Sequence, residues 1–410
     1  MNKKMPFSLM VMVIFFMTGS LIGAGILGLP IKTGMAGLFP SLIGTLVISF
    51  AMFITALILM QEAVKTRRET FHYPSMYQQY FGSAGKWAAT IANLIILYGS
   101  LVVYLSGATA IIIRIANIHI PRELIILLFF LPLTAVTIAN PRRLLRFNAL
   151  FVVLLIVSFI VIVLMGEQFI NTQRFTRSDW GMLPSALPII VMAAYFHNVI
   201  PTASKQLGWN IKWIFIAILV TTIIGLVMNS LWIQVGIGTL PLLGNNGIIH
   251  ALNNNLPATV PLGQAIKTPL FVPFSLLFAF LAIITSYLSF GNATLDFIDD
   301  LMINYFKVKN KALAITVAFS PPLAIAIFCP NIFLKALDFV GGIGVVILFG
   351  ILPCIIILKN KGFLLKRLLL ILVLLLFIAI LLFKVQQNLN LSKIRPGVEY
   401  WTNFRFFSHK

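Results

Sequence analysis

The segment Gly19–Pro30 carries four glycines and ends in a proline, inside an apolar run that begins near Phe7. In a helix interior each glycine costs about 1 kcal/mol relative to alanine, and a proline about 3 kcal/mol. A continuous helix would carry all of these penalties without compensation. We therefore predict that the helix opens at Gly23-Ala24-Gly25 and exposes backbone groups to a ligand inside a membrane.

Composition supports a membrane setting, because 60% of the 410 residues are hydrophobic and only 10% are charged. Soluble domains carry about 25% charged residues. Apolar runs of about 20 residues, the length that crosses a bilayer core of about 30 Å, recur from end to end. The sequence predicts an all-α polytopic membrane protein with about eleven transmembrane helices: 7–31, 36–64, 87–113, 121–139, 146–166, 184–201, 213–236, 269–295, 312–328, 334–358 and 362–384.

The net charge of +20 would suggest a nucleic-acid partner if the protein were soluble. Here the position of the charges gives another explanation. With these spans, eighteen Lys and Arg lie on the face that holds the N-terminus, seven on the other face and five in the C-terminal tail. Cytoplasmic loops attract Lys and Arg. We therefore predict a cell inner membrane protein with a cytoplasmic N-terminus and an extracytoplasmic C-terminus, and no nucleic-acid partner.

The sequence does not decide the structure of two segments outside the spans. The external segment 236–268 is rich in Asn, Pro and Gly, and its Ile248–Leu252 fits either a short lid helix or an ordinary surface loop. The basic, aromatic tail 385–410 is expected on the extracytoplasmic membrane surface, with no assigned function.

The sixth span, Pro184–Pro201, is also irregular, because His197, Asn198 and Pro201 are costly at membrane depth unless they line a cavity or are buried in protein. Five spans separate the starts of the two irregular spans, so the second set enters the membrane from the opposite side. This predicts one transmembrane domain, 1–384, with inverted five-helix repeats at about 7–166 and 184–358 and an extra helix at 362–384. Broken helices in corresponding positions of two repeats are typical of secondary transporters.

An opened helix can bind a zwitterion without a buried, unpaired side-chain charge. Free N–H groups at the start of one half-helix donate hydrogen bonds to a carboxylate, and free carbonyls at the end of the other accept hydrogen bonds from an ammonium group or coordinate a cation.

Other interpretations exist for each motif. Gly23–Gly28 matches the dinucleotide pattern G-x-G-x-x-G, but no strand precedes it and no acidic residue follows until Glu62. Gly19 and Gly23 could instead form a helix-packing face. His197 could bond a neighbouring backbone group rather than line a cavity, and the hydroxyls of Thr285 and Ser286 could bond to their own helix rather than to a cation. We find no pattern of a metal site or of a catalytic set.

These residues resemble the hydroxy and aromatic amino acid permeases, a family that includes the bacterial tyrosine and tryptophan permeases, within the amino acid–polyamine–organocation superfamily. Gly23–Pro30 is similar to the first-span signature. Similar segments of the third, sixth and eighth spans are Tyr104-Leu105-Ser106-Gly107, Phe196-His197 with Ile200-Pro201, and Thr285-Ser286-Tyr287-Leu288 followed by Asp296 and Asp299-Asp300.

The resemblance implies proton-coupled amino acid uptake by a fold of two inverted repeats. It places the substrate carboxylate at the amides of Gly23, Ala24 and Gly25. Further pocket residues by similarity are Tyr104, Tyr195, Phe196, His197 and Asn198. In sodium-coupled members of the superfamily, the positions of Gly19, Ile22, Thr285 and Ser286 form a cation site, which makes them a candidate cation or coupling site here. Asn198 departs from the family, where we expect glycine.

The leading hypothesis is a symporter that imports an aromatic or related neutral amino acid by alternating access. In this hypothesis the coupling ion is H⁺. The alternative is sodium-coupled transport of another neutral amino acid. A second hypothesis is a non-transporting receptor or scaffold of the same fold; an enzyme is disfavoured. Expected partners are a small amino acid and membrane lipids, with no cofactor and no metal, and the oligomeric state is open.

Overall fold

The computed structural model describes residues 7–67, 73–115, 120–139, 141–329, 331–358 and 364–389, and all regular secondary structure in these ranges is helical. The α-helices are α1 (Phe7–Leu21), α2 (Ala24–Thr33), α3 (Leu38–Thr66), α4 (Tyr73–Ile115), α5 (Arg122–Ala139), α6 (Pro141–Glu167), α7 (Leu183–Ala193), α8 (Ile200–Gln206), α9 (Ile211–Thr239), α10 (Ile248–Asn253), α11 (Thr259–Ala265), α12 (Phe271–Leu301), α13 (Lys311–Phe328), α14 (Phe333–Phe339), α15 (Leu352–Leu358) and α16 (Leu364–Asn388). Short 3-10 turns (Thr172–Thr176, Trp180–Met182, His197–Val199) and π-helical segments (Met302–Phe306, Val340–Ile351) connect or extend them.

The described ranges contain ten helical segments long and apolar enough to cross a membrane, or eleven if the bent pair α1 and α2 forms one span. This confirms the predicted polytopic helical fold. The ends of some helices differ from the predicted spans. Helix α4 starts at Tyr73, ahead of the predicted residue 87, and contains a kink at Gly82, where φ is 63°. Hydropathy does not detect this extension because its polar residues interrupt the apolar run. Helix α16 reaches Asn388, and residues 390–410 of the predicted tail lie outside the described residues.

The first span is broken where the glycines predict it. Helix α1 ends at Leu21, α2 begins at Ala24, and the two are bent by 51°. Gly23 is extended, with φ −110° and ψ −157°, and its N–H donates to the Leu21 carbonyl at 3.0 Å. Pro30 does not end the helix, because α2 continues to Thr33. Instead the proline ring packs closely against Gly236 of α9, where a larger side chain would not fit.

The sixth span is also broken. Helix α7 ends at Ala193, the chain then passes through Tyr195 and Phe196 to the 3-10 turn His197–Val199, and α8 starts at Ile200. Pro201 occupies the first turn of α8, where the missing N–H has no cost. This confirms the predicted interruption.

The two broken spans pack against each other, with α2 lying against α7, α9 and α12. Segment 240–266 packs against α2. Its Ile248–Asn253 is a helix, while the role of a lid stays a prediction, and Ala258 N donates to Leu27 O at 2.7 Å. We call this end of the bundle the lid face, and the end where α3 finishes and α4 begins the opposite face. The inverted relation of 7–166 and 184–358 stays a prediction.

Candidate functional site

The first turn of α2 presents backbone N–H groups at a buried position. Ala24, Gly25 and Ile26 are its first residues, and N–H groups in the first turn have no acceptor within the helix. Gly23 precedes them and provides no side-chain cap. Ala24 is fully buried, so these donors need a partner other than bulk water. A carboxylate satisfies them and also interacts favourably with the positive end of the helix dipole.

Three predicted site residues from three different spans lie close together: Gly23, Tyr104 and Ser286. A Cβ built on Gly23 would lie 2.9 Å from Ser286 Oγ and 3.7 Å from the Tyr104 hydroxyl oxygen. The Ser286 hydroxyl is buried and makes no hydrogen bond of ordinary geometry with the described residues. The neighbourhood of the first break therefore combines backbone donors with side-chain hydroxyls.

Aromatic rings form a wall beside these polar groups. The ring of Phe290 lies 5.7 Å from that of Tyr104 and 6.3 Å from that of Tyr195, and Phe349 lies 5.2 Å from Tyr195. Phe196 is also buried next to this cluster, with its ring 5.3 Å from that of His197. Sequence reasoning missed Phe290, although it lies one helical turn after Ser286 and so shares its face. It also missed Phe349, which no motif marks.

His197 is held by helix α3 through one ring nitrogen. Its Nε2 lies 3.0 Å from both the Met52 carbonyl oxygen and the Thr55 hydroxyl. Since a carbonyl only accepts, Nε2 carries the proton and Nδ1 is an acceptor. Nδ1 is buried and lacks a partner among the described residues, and the ring stacks on Tyr195 at 6.2 Å. The contacts at Nε2 therefore hold the His197 ring against α3, while a role of His197 in substrate binding stays a prediction.

Asn198 and Ser20 join the two breaks. The Asn198 Oδ1 accepts a hydrogen bond of 3.2 Å from the Ser20 hydroxyl. The asparagine that replaces the expected glycine therefore provides a direct tie between the broken spans.

Asn229 of α9 stabilises the second break and was not identified from the sequence. Its Nδ2 donates to the Ala193 carbonyl at 3.0 Å, at the end of α7, where carbonyls lack partners within the helix. Its Oδ1 is buried without a partner among the described residues. The available signal was an asparagine in the middle of an apolar span, which is costly unless it has a function or a partner.

The candidate cation site stays a prediction. The Thr285 hydroxyl donates to the Leu281 carbonyl of its own helix at 2.7 Å, as the alternative interpretation expected. Gly19 and Ile22 are buried in the first span, and Ile22 N bonds to Thr18 O. The described contacts bring Ser286, rather than Thr285, to the first break. Within the described ranges there is no group of three His, Cys, Asp or Glu that could hold a metal ion.

Both faces of the bundle are closed over the site. Tyr104 is 1% exposed and Tyr195 3%. At the opposite face, the Tyr73 hydroxyl donates to the His197 carbonyl at 2.7 Å and the Tyr77 hydroxyl to the Leu348 carbonyl at 2.6 Å. At the lid face, segment 240–266 bonds to α2 through Ala258. The site is therefore closed at both faces in this structure.

A family model described as the tryptophan/tyrosine permease family matches residues 7–388. "Tyrosine-specific transport system 1" of Haemophilus influenzae is 27% identical over 347 residues, covering 83% of this chain and 84% of that protein. "Glutamine transporter 2" of Aliivibrio fischeri is 25% identical over 359 residues, 84% and 88% of the two chains. "Low affinity tryptophan permease" of Proteus vulgaris is 23% identical over 343 residues, 80% and 81% of the two chains.

Among solved structures, a manganese transporter of Eremococcus coleocola, in complex with an aromatic bis-isothiourea substituted compound, superposes with a TM-score of 0.61. It covers 98% of this chain and 92% of its own, at 11% identity. At this identity the likeness concerns the fold alone.

Gly25→Ala should destabilise the contact between α2 and α7. The added Cβ would lie 3.0 Å from Ala193 Cα and 3.1 Å from the Met192 carbonyl oxygen, and backbone cannot easily move aside. Overpacking of this kind costs about 1–3 kcal/mol. The unfolding temperature of the purified protein should fall, whereas Gly291→Ala, whose nearest neighbour is a Thr137 methyl at 3.2 Å, should change it little. Equal unfolding temperatures for the two variants would contradict the tight contact.

Tyr73→Phe should loosen the closure at the opposite face, because it leaves the buried His197 carbonyl without its donor. Losing such a partner costs about 1–3 kcal/mol. Hydrogen–deuterium exchange of peptides spanning 194–199 should become at least about fivefold faster. Tyr305→Phe, whose hydroxyl has no partner among the described residues, is the matched control and should leave this exchange unchanged. Unchanged exchange in both variants would show that Tyr73 does not seal the site.

Proposed function

Because the chain belongs to the tryptophan/tyrosine permease family, whose members are permeases rather than enzymes, we propose that it imports an aromatic or related neutral amino acid as a secondary active transporter. The observation that carries this proposal is the buried first turn of α2, with free N–H groups next to a wall of aromatic rings. This arrangement supplies both recognition elements of an amino acid with a large apolar side chain.

The proposed binding mode uses the two ends of the first break. The substrate carboxylate accepts hydrogen bonds from the amides around Gly23, Ala24 and Gly25, and the Ser286 and Tyr104 hydroxyls add polar contacts. The ammonium group lies at the carbonyl end of α1, where the helix dipole is negative. The side chain packs among Tyr195 and its aromatic neighbours. No buried side-chain charge is required, which suits a site of low dielectric constant.

The names of the relatives support this substrate class. Two of those described above are named for tyrosine and tryptophan, and a third for glutamine. All three are neutral amino acids, so the common requirement is the zwitterionic backbone rather than a charged side chain. We propose an aromatic side chain for this protein because Tyr104, Tyr195, Phe290 and Phe349 converge at the site.

Alternating access would open the two closures one at a time. The closed site has hydrogen bonds from Tyr73 and Tyr77 at one face and the Ala258–Leu27 bond at the other. The distribution of Lys and Arg supports a cytoplasmic N-terminus, which makes the lid face extracytoplasmic. Substrate would then enter past segment 240–266 and leave past the start of α4.

We propose H⁺ as the coupling ion, with Na⁺ as the alternative. A sodium site would need oxygen ligands from Gly19, Ile22, Thr285 and Ser286. The Thr285 hydroxyl donates its hydrogen to the Leu281 carbonyl, which leaves its oxygen lone pairs free, so this bond is compatible with either coupling ion.

Uptake into proteoliposomes tests the proposal. Labelled tyrosine, tryptophan or phenylalanine should accumulate under an imposed proton gradient, and an uncoupler should abolish the accumulation. Replacing sodium with choline should leave uptake unchanged; a loss would establish sodium coupling. Competition by a panel of unlabelled amino acids then ranks the substrates. Saturable binding with no flux of any amino acid would instead support a receptor or scaffold.

His197→Ala should reduce uptake at least about tenfold with normal membrane insertion, because it removes Nδ1, the ring acceptor available to the substrate. One charge-assisted hydrogen bond is worth roughly that factor. The change also removes the bonds from Nε2 to α3, so Thr55→Val is the matched control. The control removes one of these contacts and keeps Nδ1. If both variants lose uptake equally, the role of His197 is structural.

A further inference from the structure

A buried cluster of charges lies away from the candidate site, near the lid face. Asp338 of α14 pairs with Lys32 in the last turn of α2 and with Lys384 of α16, the latter at 3.7 Å. Asp338 is 3% exposed and Lys384 5%. Both ammonium groups approach the same carboxylate oxygen, Oδ2, while Oδ1 is buried and has no hydrogen-bond partner in the described part of the chain.

The cluster carries more positive than negative charge. Two ammonium groups share one carboxylate, so the three side chains together have a net charge of +1, and Lys335 adds a further ammonium group on the same cavity wall. An uncompensated charge taken out of water is costly unless an opposite charge accompanies it. The composition of the cluster therefore favours an additional anion.

The cluster forms one end of a cavity of about 980 Å³. At this polar end lie the amides of Asn255 and Gln387; the remaining wall is mostly apolar and reaches the middle of α4 at Leu94 and Ile95. None of the predicted substrate-site residues lines this cavity. Its lining therefore combines cationic groups with a mostly apolar wall, and its volume of about 980 Å³ is larger than a free inorganic anion would fill.

The cavity borders helices at the lipid-facing side of the bundle. Only 28% of the span windows of α13 and α16 is buried within the protein. Two residues of the cavity wall, Ile325 and Phe339, are 39% and 41% exposed. In a membrane protein, such apolar surface contacts acyl chains, so the cavity is a groove that opens sideways to the bilayer.

We propose that this groove binds an anionic phospholipid with a hydroxyl-bearing headgroup, such as phosphatidylglycerol. The phosphate accepts hydrogen bonds from Lys32 and Lys384 and neutralises the excess positive charge. A headgroup hydroxyl donates to Asp338 Oδ1, the buried acceptor that otherwise lacks a partner. The acyl chains lie along Leu94, Ile95 and Ile325. This inference is independent of the proposed transport function.

Lipid binding to the purified, delipidated full chain in maltoside detergent tests the inference. The wild-type protein should bind phosphatidylglycerol at least about tenfold more tightly than phosphatidylcholine, the factor expected for one charge-assisted contact. Soluble glycerol phosphate at the same concentration should not compete. Equal binding of the two lipids would overturn the proposal, and competition by glycerol phosphate would show a simple anion site instead.

Variants with opposite charge effects separate binding from a structural role. Lys384→Gln should reduce the preference for phosphatidylglycerol to less than about threefold, while Lys267→Gln, an exposed lysine on the same face, should leave it unchanged. Asp338→Asn raises the positive charge and should retain the preference. If Asp338→Asn loses the preference as Lys384→Gln does, the ion pairs only hold the helices together and the proposal fails.

Leu94→Trp tests the apolar part of the groove. A larger side chain there should weaken binding of both lipids by a similar factor, because it removes space for acyl chains without changing charge. Unchanged binding of both lipids would place the acyl chains elsewhere and overturn the assignment of the groove.

Discussion

The candidate site depends on backbone N–H groups at the start of α2, which have no acceptor within their own helix and are buried away from bulk water. A chain in a bilayer pairs nearly all of its backbone groups within its own helices. Here the break at Gly23 leaves the donors of Ala24 and Gly25 buried. Such donors are costly unless a ligand or water occupies the break, so the same feature that weakens the span makes this position the candidate site for an anion.

Side-chain contacts keep the two breaks in place. Asn229 satisfies the Ala193 carbonyl at the end of α7, and Ser20 bonds to Asn198 across the two broken spans. The absence of a Cβ at Gly25 lets α2 approach the backbone of α7. Specific contacts therefore hold the opened segments in place.

Helix α2 has backbone N–H groups at its first turn and the charged side chain of Lys32 in its last turn. Its first turn faces the candidate substrate site, and Lys32 in its last turn pairs with Asp338. In the middle of α2, the Leu27 carbonyl accepts a hydrogen bond from Ala258 N of segment 240–266. Any movement of α2 that opens the lid face must therefore alter the ion cluster and the groove beside it, which places the proposed lipid where it can influence access to the site.

The sequence by itself determined the helical membrane fold and both helix breaks, because glycine, proline and hydropathy act through local backbone energetics. It left the segment at Ile248 open between a helix and a loop, which the structure shows as a helix. It also marked Gly23, Tyr104 and Ser286, which the structure brings together. Only the tertiary structure showed that Thr285 bonds to its own helix, that His197 is tied to α3, and that Phe349 and Asn229 adjoin the breaks. The ion cluster likewise joins residues about three hundred positions apart, Lys32 and Asp338. Long-range packing decides which polar groups meet, and no local pattern in the sequence encodes that pairing.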